Sequence, residues 1–379
     1  MNWITGGPHT EAKKWIGQLT DPAKRERAAQ ELIRLGAEAA PALVEALQSR
    51  DPNLPPIVGR LLARIGPAAV PSLVHSLQNA HPLIRVQVVD VLAQIKDRSV
   101  VPPLLDALQG EFYTVRARAA AALGLVGDPQ VIPHLLKALK DPEPEVRAWA
   151  ALALGKFRDP STFDDIAGLL LDDQKIEVRQ AAARSLGETR HTAALPYLME
   201  ALRDSFWWYE REQAASDLLE AIEKMGASAV EPLIGALADR EGTVRKFAAI
   251  VLGELKDIRA VEELGMALYD LHHEVSRVAA LALGKMGAPA VDFLAEGLRH
   301  PEADVREHAT LGLGMIQDTR VAPLLIGMLQ DPERIVQRQA ILSLAGLRDP
   351  RAAAALRDIV NNRADREFSA LAKQLLQNP

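Results

Sequence analysis

Apolar positions along this chain fall at helical spacing, three and four residues apart, and the blocks they form recur at roughly thirty-residue intervals from one end to the other. Within one block, Val131-Ile132-Pro133-His134-Leu135-Leu136-Lys137-Ala138-Leu139 predicts a first helix, with Pro133 near the first turn, where its missing N–H costs nothing. Asp141-Pro142 reads as an N-cap followed by proline at N1, opening a second helix on which Val146, Ala150, Leu154 and Phe157 share a face. The glycine after that leucine, here Gly155, predicts close backbone approach between stacked helices. A polar turn, Arg158-Asp159-Pro160, begins the next block, and four blocks use Gly36-Ala37, Gly66-Pro67, Gly226-Ala227 or Gly287-Ala288 instead.

The second helices carry the signature V-R-x-x-A-A/T-x-x-L-G, clearest from Val115-Arg116 to Leu123-Gly124, Val146-Arg147 to Leu154-Gly155, Val178-Arg179 to Leu186-Gly187, Val244-Arg245 to Leu252-Gly253 and Val305-Arg306 to Leu313-Gly314. With the arginine as phase marker, the register falls at Arg25, Pro55, Arg85, Arg116, Arg147, Arg179, Arg211, Arg245, Ser276, Arg306, Arg338 and Arg366. About twelve helical hairpins therefore fill residues 1–379 as one array. The fold expected is an all-α solenoid, a right-handed superhelix in which each repeat buries its apolar stripe on its neighbours. In the twelfth repeat Lys373-Gln374 replaces Leu-Gly, which suits a C-terminal cap.

These residues resemble the short HEAT repeats named after the phycobilisome lyases, over the full chain. Similar repeats occur in bilin lyase subunits, in deoxyhypusine hydroxylase and in many adaptors without chemistry. The hydroxylase resemblance implies a di-iron site of four His-Glu pairs at equivalent repeat positions. Here the pairs just past the arginine run from Glu26-Arg27 through Glu307-His308 to Glu367-Phe368, and none is His-Glu. The chain's one His-Glu, His273-Glu274, lies in a turn at another phase, so that activity is not expected. Bilin lyases need no motif readable here, and a lyase or chaperone acting on a tetrapyrrole-bearing protein stands as the alternative.

Composition narrows the choice. A chain that is 48% hydrophobic but 4% aromatic suits thin layers of closely approaching helices. A net charge of -6 and pI near 5.9 leave no basic stripe for nucleic acid, and the same lack argues against a DNA glycosylase groove. Cysteine is absent, removing thiolate metal sites and Cys nucleophiles, and the first residues form no secretory signal. No stretch reads as the roughly 18–20 apolar residues of a membrane span, so a cytoplasmic protein is expected. Neither a Ser/His/Asp arrangement nor a phosphate-cradling loop occurs. His272, His273, Glu274 and His308 are ligand-type residues in adjacent repeats, but solvated turn histidines are the preferred reading. No metal or cofactor is expected.

Arg85, Arg116, Arg147, Arg179, Arg211, Arg245, Arg306 and Arg338 form a column that a phosphate ladder would share, but a structural role is preferred. Each guanidinium is expected to clamp an aspartate of an adjacent inter-repeat turn, such as Asp97, Asp128, Asp159, Asp257, Asp318 or Asp349. Pro55 and Ser276 then mark junctions without a clamp, softer places in the array.

A partner face is expected where the second helices line the concave side. Five residues past the arginine stand Leu152, Ile250, Leu281 and Leu311, and two past it stand Trp149, Phe247, Val278 and His308. From the eighth to the tenth repeat these rows turn apolar where water is expected, the mark of an interface. The competing view is that curvature buries them. The seventh hairpin turn is one residue longer than the fifth and holds Phe206, Trp207, Trp208 and Tyr209, four of the chain's sixteen aromatics. These serve either as contact residues or as plugs for the insertion. The function expected is a non-catalytic scaffold binding a protein or peptide.

Overall fold

The computed structural model describes residues 7–79, 81–95, 97–204, 207, 212–362 and 365–377. The described residues form α-helices of seven to fourteen residues joined by 3-10 turns, with no strand among them. This is an all-α solenoid of helical hairpins, and the chain divides into two compact units, Met1–Tyr197 and Leu198–Pro379.

In each unit the second helices of successive repeats pack side by side. In the N-terminal unit Tyr113–Val126 packs on Pro144–Gly155, which packs on Ile176–Thr189. In the C-terminal unit Gly242–Leu255, His273–Met286, Ala303–Gly314 and Arg334–Ala345 follow one another in the same way. Val146, Ala150 and Leu154 are completely buried, as their spacing predicts. Small residues set the distance between helices: a Cβ on Gly124 would lie 2.7 Å from the Ala153 Cβ, and one on Gly253 would lie 2.8 Å from that of Ala282. The glycine of the signature is therefore a close-approach residue.

Asp141 is not the N-cap of its helix. The helix is Pro144–Gly155, Glu143 stands at its N-cap, and Pro144 occupies the first turn. Asp141 sits two residues earlier, accepting the Glu143 N–H at 2.9 Å and keeping its other lone pairs for a neighbour.

The inter-repeat turns reverse the chain through the left-handed region. Gly36, Gly66, Gly127, Gly226 and Gly287 take φ between 57° and 78°, whereas Arg158, Arg190 and Lys256 take it at 54°, 52° and 53° despite carrying a Cβ. Exposed Lys256 makes this a testable strain: Lys256→Gly is expected to raise stability by about 0.5–1 kcal/mol, read as a higher urea midpoint. An unchanged or lower midpoint would show that the turn holds Lys256 without strain.

Leu54–Gln78, 25 residues at a hydropathy of 1.4, is long and apolar enough to cross a membrane by length and composition alone, against the expectation that no stretch would be. It is two helices, Leu54–Ile65 and Val70–Asn79, broken by the 3-10 turn Gly66–Ala69 with Gly66 at φ 73°. Its buried side chains, Val58, Leu62 and Leu73 among them, pack in the repeat stack.

Candidate functional site

The arginine column forms a ladder of clamps. Arg116 donates from Nε and Nη2 to the two carboxylate oxygens of Asp141 at 2.8 and 2.9 Å, and from Nη1 to the Gly110 and Glu111 carbonyls. Arg147 holds Asp173 at 2.7 and 3.0 Å, Arg245 holds Asp270 at 2.6 and 2.9 Å, and Arg306 holds Asp331 at 2.7 and 2.9 Å. The clamp is the one expected, but its aspartates are not. They lie in the hairpin turn of the following repeat, because the arginine stands at the start of a helix roughly 18 Å long and the inter-repeat turn lies at its far end. Asp97, Asp128, Asp159, Asp257, Asp318 and Asp349 instead accept the N–H two residues on, capping their own turns.

The bidentate pair of hydrogen bonds from Arg306 holds the Asp331 carboxyl below its usual range, against an opposing effect of burial. The remaining column is less uniform. Arg85 reaches the Gln78 carbonyl at 3.2 Å and lies over the Phe112 ring, and Arg179 donates to the Asp173 carbonyl at 2.7 Å. Arg211 lies outside the described residues. Arg338 is exposed and out of phase by one, since Gln337 takes the arginine's place and donates to the Asp331 carbonyl at 2.6 Å. The position five past it is therefore half-buried Leu342, not Ser343, which is buried and bonded to the Thr310 carbonyl.

Ser276 makes no clamp, as expected, but its junction is bridged by other hydrogen bonds. Its partner position in the next hairpin turn is His300 instead of aspartate, so both members of the clamp are replaced together. The vacated space is taken by His308. Ser276 Oγ donates to the Leu268 carbonyl at 2.6 Å, which leaves its lone pairs to accept the His308 Nδ1–H at 2.9 Å. That tautomer turns the His308 Nε2 lone pair toward His273 Nε2, 3.2 Å away, with the two rings edge to face at 4.6 Å. Burial, then His273, pushes the His308 imidazole down to about 4. His308 is thus not a solvated histidine but, at 2% exposure, a buried link in a relay from Ser276 to the exposed His273. His272 is exposed and lies against Arg245. Among the described residues no three His, Asp or Glu side chains are grouped to hold a metal ion.

The expected partner residues separate by exposure. Trp207 is completely buried, Phe247 is 8% exposed and His308 is 2% exposed, so these three belong to the packing and offer no surface. The row two past the arginine lies only about 40° around the helix from the buried residue six past it, such as Val251, and Phe247 and His308 there turn inward. Leu152, Ile250, Val278, Leu281 and Leu311 are half-buried, and Trp149 is exposed. Phe206, Trp208 and Tyr209 lie outside the described residues. In the C-terminal unit Ile250, Leu281, Leu311 and Leu342 therefore occupy one position on four consecutive, mutually packed second helices.

Family comparison agrees with this repeat. The model for HEAT repeats matches residues 70–141, 132–219, 230–304 and 291–377, and that for the PBS lyase HEAT-like repeat matches 24–49. The chain belongs to the HEAT repeat family. No curated protein matches this HEAT-repeat chain by sequence. Among solved structures it is similar to Kap121p bound to Pho4p, at 15% identity and a TM-score of 0.61 over 99% of this chain and 48% of that one. It is also similar to Kap95p in a complex with RanGDP, at 13% identity and 0.58 over 100% and 61%. Human deoxyhypusine hydroxylase matches at 23% identity over 74% and 97%, with a TM-score of 0.31. The chain spans about half the length of the Kap121p chain it matches.

Proposed function

We propose that this HEAT-repeat chain is a non-catalytic scaffold of the cytoplasm that binds a protein or peptide on the second-helix face of repeats eight to eleven. The observation that carries this is the row Ile250, Leu281, Leu311 and Leu342, aliphatic and half-exposed on four packed helices. The same position holds Arg60, Asp90 and Arg184 in the N-terminal unit, so the repeat itself does not demand an apolar residue there. An aliphatic row with part of each side chain open to water suits a partner's contact. Solenoids of this fold, Kap121p with Pho4p among them, are solved with protein partners, which supports the reading.

Leu281→Gln with Leu311→Gln tests it, since glutamine keeps helix propensity and removes the apolar contact. The double variant should capture its partner from host extract at least about tenfold less than the wild type, with helicity and thermal midpoint preserved. Equal capture would remove this face from the proposal. A tetrapyrrole-bearing protein is the narrower form of the same reading, and visible absorption of the captured material decides it.

A further inference from the structure

We propose that the partner of this face is an acidic amphipathic helix, laid along the row with its apolar side chains at heptad spacing and its carboxylates on Arg277 and Arg338. This rests on the scaffold reading above and adds the partner's chemistry.

The residues one past and five past the signature arginine are one helical turn apart and share a face. Each apolar residue of the row therefore has a charged neighbour: Lys246 beside Ile250, Arg277 beside Leu281, Glu307 beside Leu311 and Arg338 beside Leu342. Several charges on this face are already matched within the protein. Lys246 pairs with Glu274 at 3.6 Å, and Lys285 pairs with Glu254. Arg277 and Arg338 are exposed and make no hydrogen bond or ion pair with the described residues, so their ten donors face water. Glu307 lies on the helix between them, half-buried, and feels both guanidiniums. The rim thus offers two forked cations two repeats apart, the donor geometry that suits carboxylates.

Spacing selects the partner's conformation. Packed helices lie about 8–10 Å apart, so the row presents an apolar residue at each such step. A helix returns a residue to the same face after seven positions, about 10.5 Å. An extended strand presents one face at multiples of about 6.8 Å and falls short of the row at the first step. Arg277 and Arg338 stand about 16–20 Å apart on this spacing, close to two heptads of a bound helix.

The test uses the full-length protein and three labelled synthetic helical peptides, followed by fluorescence anisotropy. One carries leucines at heptad spacing flanked by glutamates, one has lysine for each glutamate, and one scrambles the first. The acidic peptide is expected to bind at least tenfold more tightly than the other two. Arg277→Gln with Arg338→Gln, both exposed and so compatible with folding, is expected to weaken it tenfold or more. Arg277→Glu with Arg338→Glu should shift preference to the lysine peptide. If all three peptides bind alike and all are lost in Leu281→Gln/Leu311→Gln, the acidic helix is wrong while the apolar face stands. If no peptide binds above the scrambled one, the acidic helix is overturned, and extract capture decides the scaffold reading separately.

Discussion

Arg306→Ala is expected to cost about 3–5 kcal/mol of stability in the C-terminal unit, the largest effect of any single clamp residue. The side chains of Arg306 and Asp331 are 10% and 4% exposed, so removing the guanidinium strands a carboxylate away from water. It also releases the His300 and Pro301 carbonyls, which Arg306 holds at 2.9 and 2.8 Å. Adding Asp331→Asn to Arg306→Ala should recover part of the loss, since the stranded charge is the main cost. Arg334 supplies the comparison: its pair with Asp365 is 58% and 35% exposed, and Arg334→Ala should cost less than about 1 kcal/mol. Urea unfolding of the three variants checks this. A loss at Arg306 no larger than at Arg334 would mean that the ladder does not hold the stack.

Acidification from pH 6.5 to 4 is expected to remove about 2–3 kcal/mol through His308. Its folded value, about 4, lies below the ordinary 6.5, so the unfolded chain binds more protons across that window. Stability from this group is therefore complete above pH 6.5 and is lost as pH falls toward 4. Charging the ring forces a proton onto Nε2, against the N–H that His273 directs there. His273, Glu274, Arg277 and Asp304 surround it, the carboxylates favouring the charged ring and the cations opposing it. Glu307, held above its usual range first by burial, acts with the opposite sign near and above pH 4.5. The measurement is therefore a difference: His308→Gln should flatten the slope of urea midpoint against pH between 4 and 6.5. The depressed Asp331 carboxyl contributes below that window, losing its share as pH falls past about 4. Parallel slopes with and without His308 would dismiss the relay as a source of acid sensitivity.

The two predictions show where reading the residues succeeded and where it stopped. The arginine clamp was legible because arginine recurs at one phase and aspartate recurs nearby. Which aspartate was not, since Asp318 stands 12 residues from Arg306 and only the stacking of one hairpin on the next brings up Asp331, 25 residues away. The joint replacement of arginine and aspartate at Ser276 and His300 was visible but has meaning only once that pairing is known. Arg338 misled by identity: an arginine one residue off the register drew the phase to itself, and Leu342 dropped out of the row.

By itself the sequence determined the repeat, the helical hairpin, the close-approach glycines and the family. Those follow from local rules, the period of a helix and the recurrence of a unit, and they survive without knowledge of any distant contact. Tertiary structure alone decided which rows face water. Phe247 and His308 have the same exposure in an isolated helix as Ile250 and Leu311, and only the neighbouring helix, packed against one flank, closes the first pair in and leaves the second at the surface.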